Sequence, residues 1–323
     1  MLKLQDVSVE VEARQADVPR LVRRFQKVLR EDEPDMCTGP HCRKPYECPF
    51  IAHCQAQEEP GPDYPLELWA RSPALVQRLA DAGFEDLRDV PLSLVPKGKY
   101  QRMLKGSRRG RAIVAPERRR QLADLPYPRR YLDFEAIDFI VPRWLGTRPF
   151  EHIPFQWSCH VEKAAGDVVA RGYLYISSDD PRRELAVALI KTCGKRGPIL
   201  VYGRYEAQCL ASLSRHLPDL AGALDGIRAR LVDLLPLMQN HYYHPEMGKS
   251  WSLKSVLPTV VSSLDYADLG DVADGVAAQD AYIEAIDTAT TPARRRELKT
   301  ALKRYCERDT WGLVEMVRVL SKR

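Results

Sequence analysis

The succession of short apolar and alternating segments after residue 129 constrains the fold most strongly. Residues 131–136 read as a strand. Residues 155–161 and 168–176 alternate apolar with polar side chains, the period-two pattern of half-buried strands. Asp180-Pro181 then opens a helix to about residue 195, with proline in the first turn, where its missing N–H costs nothing. Residues 198–202 form a short apolar strand, 204–216 a helix and 231–235 a further strand. Short helices over 252–257 and 280–288 precede a long helical run over 293–320, with one break expected in it. Three strands, a helix, a strand, a helix, a strand and closing helices predict an α/β domain over 129–323, a mixed sheet with flanking helices.

Two further regions precede that domain. Residues 1–62 begin with an alternating stretch over 4–11. A helix follows, with Val18, Leu21, Val22, Phe25, Val28 and Leu29 at helical spacing, and then a cysteine-rich loop. Residues 63–128 read as a small helical hairpin over 64–95, with Gly83 at its turn, followed by a basic connector. A chain of 323 residues with 45% hydrophobic content can bury a real core and is long enough for two domains. It contains no run of the roughly 18 apolar residues that a membrane helix needs. Its start, with Asp6 and Glu10, lacks the basic then apolar pattern of a secretory signal. A soluble cytoplasmic protein with no membrane partner is expected.

The formal net charge of +5 conceals a local asymmetry. Lys97, Lys99, Arg102, Lys105, Arg108, Arg109, Arg111, Arg118, Arg119, Arg120, Arg129 and Arg130 face only Glu117 and Asp124 over 97–130. That segment is +10 and the remainder −5. Charge concentrated in this way favours a phosphate-rich partner, although a solvated basic surface gives the same pattern.

Acids recur at telling places. Asp133 and Glu135 flank Phe134 on the first strand, so both point to one face, where a divalent cation is the natural partner of their repelling charges. Glu206 stands at a strand-to-helix junction, where open α/β sheets place ligands. Asp233 ends another apolar stretch. Tyr305 and Asp309 share one face of the last helix.

This ordered set resembles the DEDD superfamily of 3′–5′ exonucleases, DnaQ-like enzymes with an RNase H-like fold, in its tyrosine-bearing subgroup. On that resemblance Asp133 and Glu135 match the first motif, Glu206 the second, and Tyr305 and Asp309 the third. The second motif usually carries Asn where Gly203 stands and Asp where Glu206 stands, and Asp233 competes as the third acid. A closer resemblance is to a bacterial domain family of unknown function that runs C-terminal to RecB-like nuclease sequences. It rests on YLDFEA, IPFQWSCH, DPRREL, ILVYGRYE, LVDLL, SLKSVLP and YCERDT, over roughly 125–320. The resemblance implies a two-metal nuclease using Mg²⁺ or Mn²⁺. Asp133, Glu135, Glu206 and Asp309 would be its ligands, and Tyr305 would orient or deprotonate the water. The substrate would be a DNA or RNA end, probed by the basic segment and by Trp144, Phe155 and Trp157, unless those aromatics are core. The alternative is an inactive nucleic-acid-binding or scaffolding module on the same fold.

Cys37, Cys42, Cys48 and Cys54 fall in one loop, whereas Cys159, Cys193, Cys209 and Cys306 are scattered, as buried structural cysteines are. Only the first gap of the cluster falls within the usual spacing of a zinc pair. Four thiols in one loop also suit a [4Fe–4S] cluster. The stretch CTGPHCRKPYECPFIAHC resembles the cysteine-rich end of RecB-like nucleases that carry one. Cys37 is the least secure ligand, with His41 or His53 as substitutes and Zn²⁺ as the alternative metal. The nuclease motif that precedes such a loop is absent from residues 1–36, so the chain reads as the C-terminal part of a longer architecture.

Overall fold

The computed structural model describes residues 5–34, 36–44, 46–58, 61–69, 72–115, 122–262, 264, 272 and 274–322. The chain divides into two compact units, residues 1–63 and 64–323. Arg118, Arg119 and Arg120 lie outside the described residues.

In the first unit, helix α1 (Ser8–Gln15) occupies the stretch whose alternation predicts an extended start. Its side chains are exposed, so no sheet face rewards the period-two pattern there. Helix α2 (Val18–Val28) follows the helical spacing of its apolar residues. Helix α3 (Ile51–Gln57) carries Cys54, and a 3₁₀ turn over Pro40–Arg43 carries Cys42.

The second unit begins with helix α4 (Pro73–Asp81), which turns at Gly83 with φ +83°. Helix α5 (Lys99–Arg109) follows, then strand β1 (Ile113–Val114). The main sheet comprises β2 (Arg129–Ile137), β3 (Ile153–Ala164), β4 (Asp167–Leu174), β5 (Ile199–Val201) and β6 (Leu231–Asp233). A short strand β7 (Tyr242–Tyr243) pairs with β1 in a separate ribbon. The helices after β4 are α6 (Arg182–Cys193), α7 (Tyr205–His216), α8 (Ala221–Arg228), α9 (Leu234–His241), α10 (Leu253–Val260), α11 (Gly275–Ile286) and α12 (Pro292–Lys322).

The sheet order is β4-β3-β2-β5-β6. Strands β2, β3 and β4 form an antiparallel meander, and β5 and β6 add in parallel to β2 through helical crossovers. The mixed α/β sheet with flanking helices is the one that the strand pattern predicts. Three details differ. The strand read over 231–235 stops at Asp233, whose carboxylate accepts the Leu235 N–H at 2.9 Å and so caps α9. Helix α8 occupies a stretch between a predicted helix and a predicted strand for which no element is expected. The last helix runs unbroken through Lys322.

Each face of the sheet is covered. Leu132, Phe134, Trp157, Cys159, Ile199 and Val201 pack against Leu185, Leu189, Leu210 and Leu213 of α6 and α7. Complete burial of each leucine there stabilises by roughly 1.5–3 kcal/mol. The opposite face receives α12. Gln156, Ser158 and His160 alternate along β3 and so share that face. Gln156 Nε2 donates to the Leu302 carbonyl at 2.8 Å. Thr310 Oγ1 meets Ser158 Oγ at 2.8 Å and His160 Nδ1 at 2.9 Å. Burial lowers the His160 pKa to about 4, so this ring is neutral at neutral pH. Residues 64–128 share their core with the sheet domain: Leu66, Trp69, Leu79, Leu104 and Leu122 cluster with Tyr131, Leu200 and Trp251.

The entry to β5 depends on Gly197, at φ +84° and with its α-carbon against the Pro128 carbonyl. A β-carbon there would collide with that backbone oxygen, which no side-chain rotation relieves. Gly197→Ala is expected to destabilise the protein by about 2–4 kcal/mol, read as a lowered midpoint in denaturant unfolding. An unchanged midpoint would refute this account of the β5 entry.

Candidate metal centre

Asp133 and Glu135 stand two apart on β2, on the face that receives α12. Helix α12 delivers Tyr305, Cys306 and Asp309 to the same place, three and four residues apart and therefore on one side of the helix. The polar contacts of β3 with Leu302 and Thr310 bracket these three residues and fix their height over the sheet. Glu206 enters from the first turn of α7, just past the end of β5.

The charges of these groups act on one another. Burial raises the Asp133 carboxyl well above the usual range, and the charges of Asp309, Glu135 and Glu206 raise it further. Glu135 is pushed up to about 8, by burial first and then by Asp309. Glu206 is pushed up to about 8, again by burial first, with Asp233 and Asp309 adding to it and a hydrogen bond with Asp133 opposing. Glu206 is only 3% exposed, and its Oε2 has no hydrogen-bond partner among the described residues. The Lys254 ammonium lowers the Glu135 value and lies 5.1 Å from the centre of the Tyr305 ring. Burial and the neighbouring carboxylates push the Tyr305 phenol up, so it keeps its proton at neutral pH.

Cys306 is the residue that reasoning from the sequence left among the structural cysteines. Its Sγ lies 3.5 Å from Asp133 Oδ2. One ligand atom each of Asp133, Glu135 and Cys306 falls within 4.8 Å of the others, a spacing suited to one metal ion. The place of Cys306 between Tyr305 and Asp309 does not by itself separate it from a core cysteine; the docking of α12 on β2 turns the thiol inward. Cys159, Cys193 and Cys209 are buried in the core, in keeping with the expectation for them.

Asp233 occupies a different position. Its Oδ1 accepts the Gly203 N–H at 2.7 Å and the Leu235 N–H at 2.9 Å, so it ties the end of β5 to the start of α9. Gly203 has φ +107°, a conformation that an L-residue adopts only with strain. Glycine at this point lets the chain leave β5 and enter α7 with Glu206 turned toward Asp133.

Residues 130–252 match a domain of unknown function (DUF2779). The match takes in Asp133, Glu135, Glu206 and Asp233 and ends before Lys254, Tyr305, Cys306 and Asp309. No curated protein and no solved structure matches the chain.

The aromatic residues considered for base stacking are core. Phe155 is buried and stacks on Tyr282 at 3.8 Å, the Trp157 indole N–H donates to the Leu185 carbonyl, and Trp144 is 9% exposed. Several cations of the basic segment are engaged internally. Arg102 donates to the Gln239 carbonyl, and Arg108 to the Arg88 and Val90 carbonyls. Arg129 donates to the Ala123 and Leu125 carbonyls, and Arg130 to those of Thr192 and Arg196. Lys99 lies over the Trp251 ring. Lys97, Lys105, Arg109 and Arg111 are exposed.

In the first unit, Cys37, Cys42, Cys48 and Cys54 line one cavity of about 630 Å³ with His41 and His53. Thr38 donates its N–H and hydroxyl to the Glu58 carboxylate, closing the loop onto α3. His53 Nε2 is engaged by Glu33 at 2.6 Å and Gln57 at 2.8 Å. Burial raises the Cys54 thiol, and the nearby Cys48 and Cys42 raise it further.

The acid cluster predicts an unusual stability profile for the metal-free protein. Glu135 and Glu206 hold protons to about 8 when folded and lose them near 4.5 when unfolded. The folded state therefore binds more protons between those limits, so stability is full below 4.5 and falls as pH rises through 8. In chelator, the thermal midpoint should drop across that window, and Glu206→Gln should flatten the drop. A profile of equal slope in the variant would show that Glu206 does not titrate there.

Proposed function

We propose that this chain is a divalent-metal-dependent nuclease that hydrolyses phosphodiester bonds in nucleic acid, with the chemistry of the DEDD 3′–5′ exonucleases. The observation that carries this reading is the convergence of Asp133, Glu135, Glu206 and Asp309 from β2, α7 and α12 on one buried spot, with Glu206 Oε2 left unpartnered. Buried carboxylates that repel one another are stable together only with protons or cations among them. The sheet order adds support, since an antiparallel meander extended by two parallel strands on the side of its first strand is the RNase H-like arrangement.

Asp133, Glu135, Glu206 and Asp309 would hold Mg²⁺ or Mn²⁺, and the donor set fits, being oxygen-rich and charged. When bound, such ions supply an activated water and charge stabilisation for the phosphoryl group. The chain's own contribution is orientation. The Tyr305 phenol, four residues before Asp309 on the same helix, would orient a water or deprotonate it. Lys254, beside that ring, would contribute positive charge toward a phosphate group. Exposed Lys97, Lys105, Arg109 and Arg111 would hold a phosphate backbone without reading sequence.

The cysteine cavity would hold a [4Fe–4S] cluster as a structural staple, with Zn²⁺ as the alternative. Four thiols around one cavity fit such a group. Anaerobically purified protein is expected to be brown, with a visible thiolate-to-iron absorbance that Cys42→Ser removes. A colourless sample containing stoichiometric zinc would favour the alternative.

The enzyme assay uses end-labelled single-stranded DNA and RNA with Mn²⁺ or Mg²⁺. A metal-dependent product ladder is expected, reduced at least ~10³-fold by Asp133→Asn and ~10-fold or more by Tyr305→Phe. Binding of the same oligonucleotides without any cleavage would instead support a non-catalytic nucleic-acid-binding module.

A further inference from the structure

We infer that Cys306 supplies a sulfur ligand to the metal centre and makes it prefer a thiophilic divalent cation, Zn²⁺, over Mg²⁺. The inference rests on the reading of the acid cluster as a metal site and revises the metal named for it from Mg²⁺ or Mn²⁺ to Zn²⁺. Cys306 Sγ is fully buried, 3.5 Å from Asp133 Oδ2 and 3.9 Å from the Asp133 carbonyl oxygen. Its ligand atom and those of Asp133 and Glu135 fall within 4.8 Å of one another, compact enough for one cation to bond all three. A second feature points independently to a missing ligand. Glu206 is 97% buried, contacts Asp133, and leaves Oε2 without a partner among the described residues. Glu206 is not one of the compact triad, but its hydrogen bond with Asp133 puts its carboxylate beside it.

The donor chemistry then sets the preference. Asp133, Glu135 and Glu206 are hard oxygen donors that accept Mg²⁺, Mn²⁺ or Zn²⁺ alike. One soft sulfur among them breaks the tie, because Mg²⁺ gains almost nothing from a thiolate whereas Zn²⁺ bonds it at about 2.3 Å. The two oxygens and one sulfur of the triad match the three protein ligands of a four-coordinate Zn²⁺ site with one open position. As the metal–sulfur bond forms, the thiol proton leaves to solvent, and no electron is transferred. A weak thiol-to-carboxylate hydrogen bond would account for the Asp133 contact alone, but it leaves the proximity to Glu135 and the orphaned Glu206 oxygen unexplained.

The test uses the full chain loaded with Co²⁺ as a spectroscopic stand-in for Zn²⁺, compared with Cys306→Ser and Asp133→Asn. The cysteine loop of the first unit would also bind Co²⁺ through sulfur, so the readout is the difference between proteins. Wild type minus Cys306→Ser is expected to show one thiolate-to-cobalt charge-transfer band in the near ultraviolet. Calorimetric competition should show the Zn²⁺-over-Mg²⁺ preference falling at least ~10-fold in Cys306→Ser. If that variant fails to fold, the same band must disappear in Asp133→Asn, whose substitution leaves the cysteine loop untouched. Cobalt d–d bands that depend on Asp133, with no difference in charge transfer, would overturn the sulfur ligand and leave the metal site standing. No Asp133-dependent metal binding at all would overturn the underlying metal-site reading itself.

Discussion

The repulsion among buried carboxylates is the constraint on which the rest of the second unit depends. Burial raises the proton affinity of Asp133, Glu135 and Glu206, and the charge of Asp309 raises each of them further. Lys254 offsets part of that charge at Glu135. A fold has no reason of stability to gather acids in this way, since apolar side chains of similar size would pack there at lower cost. The arrangement persists because rigid elements on several sides over-determine it. Gln156, Ser158 and His160 hold α12 against β3, and Asp233 holds the turn that begins α7.

Much of this was legible in the chain, and the part that was not has a common cause. The strands of the sheet declare themselves because their pattern is local: residues two apart share a face whatever the rest of the molecule does. The acids were recognisable through their order along the chain and their places at strand ends. The contribution of Cys306 was not, because a lone cysteine carries the same local signal whether it faces leucines or carboxylates. Only the docking of α12, set by contacts with residues some 150 positions earlier in the chain, decides between them. Asp233 illustrates the converse. It looks like a ligand in sequence, and the structure engages one of its oxygens with two backbone N–H groups.

The basic segment shows how a local charge excess divides among different roles. Lys97, Lys105, Arg109 and Arg111 are exposed. Arg102, Arg108, Arg129 and Arg130 instead donate to backbone carbonyls and tie the α4–α5 region and the ends of β2, α6 and α9 together. Arginine suits that role because its planar fork serves several carbonyls at once without needing an acid partner. A count of charges therefore overstates the number available to a polyanion, and burial and hydrogen bonding decide which remain.

Gly203 and Glu206, which depart from the pattern of the second exonuclease motif, are better understood as a single local adjustment. A residue at φ +107° must be glycine-like, and its N–H is needed by Asp233. In the first turn of α7 the Glu206 carboxylate is buried and hydrogen-bonds with Asp133. A change of residue type at a motif position argues against chemistry only when the functional atom moves away, and here the carboxylate remains with Asp133.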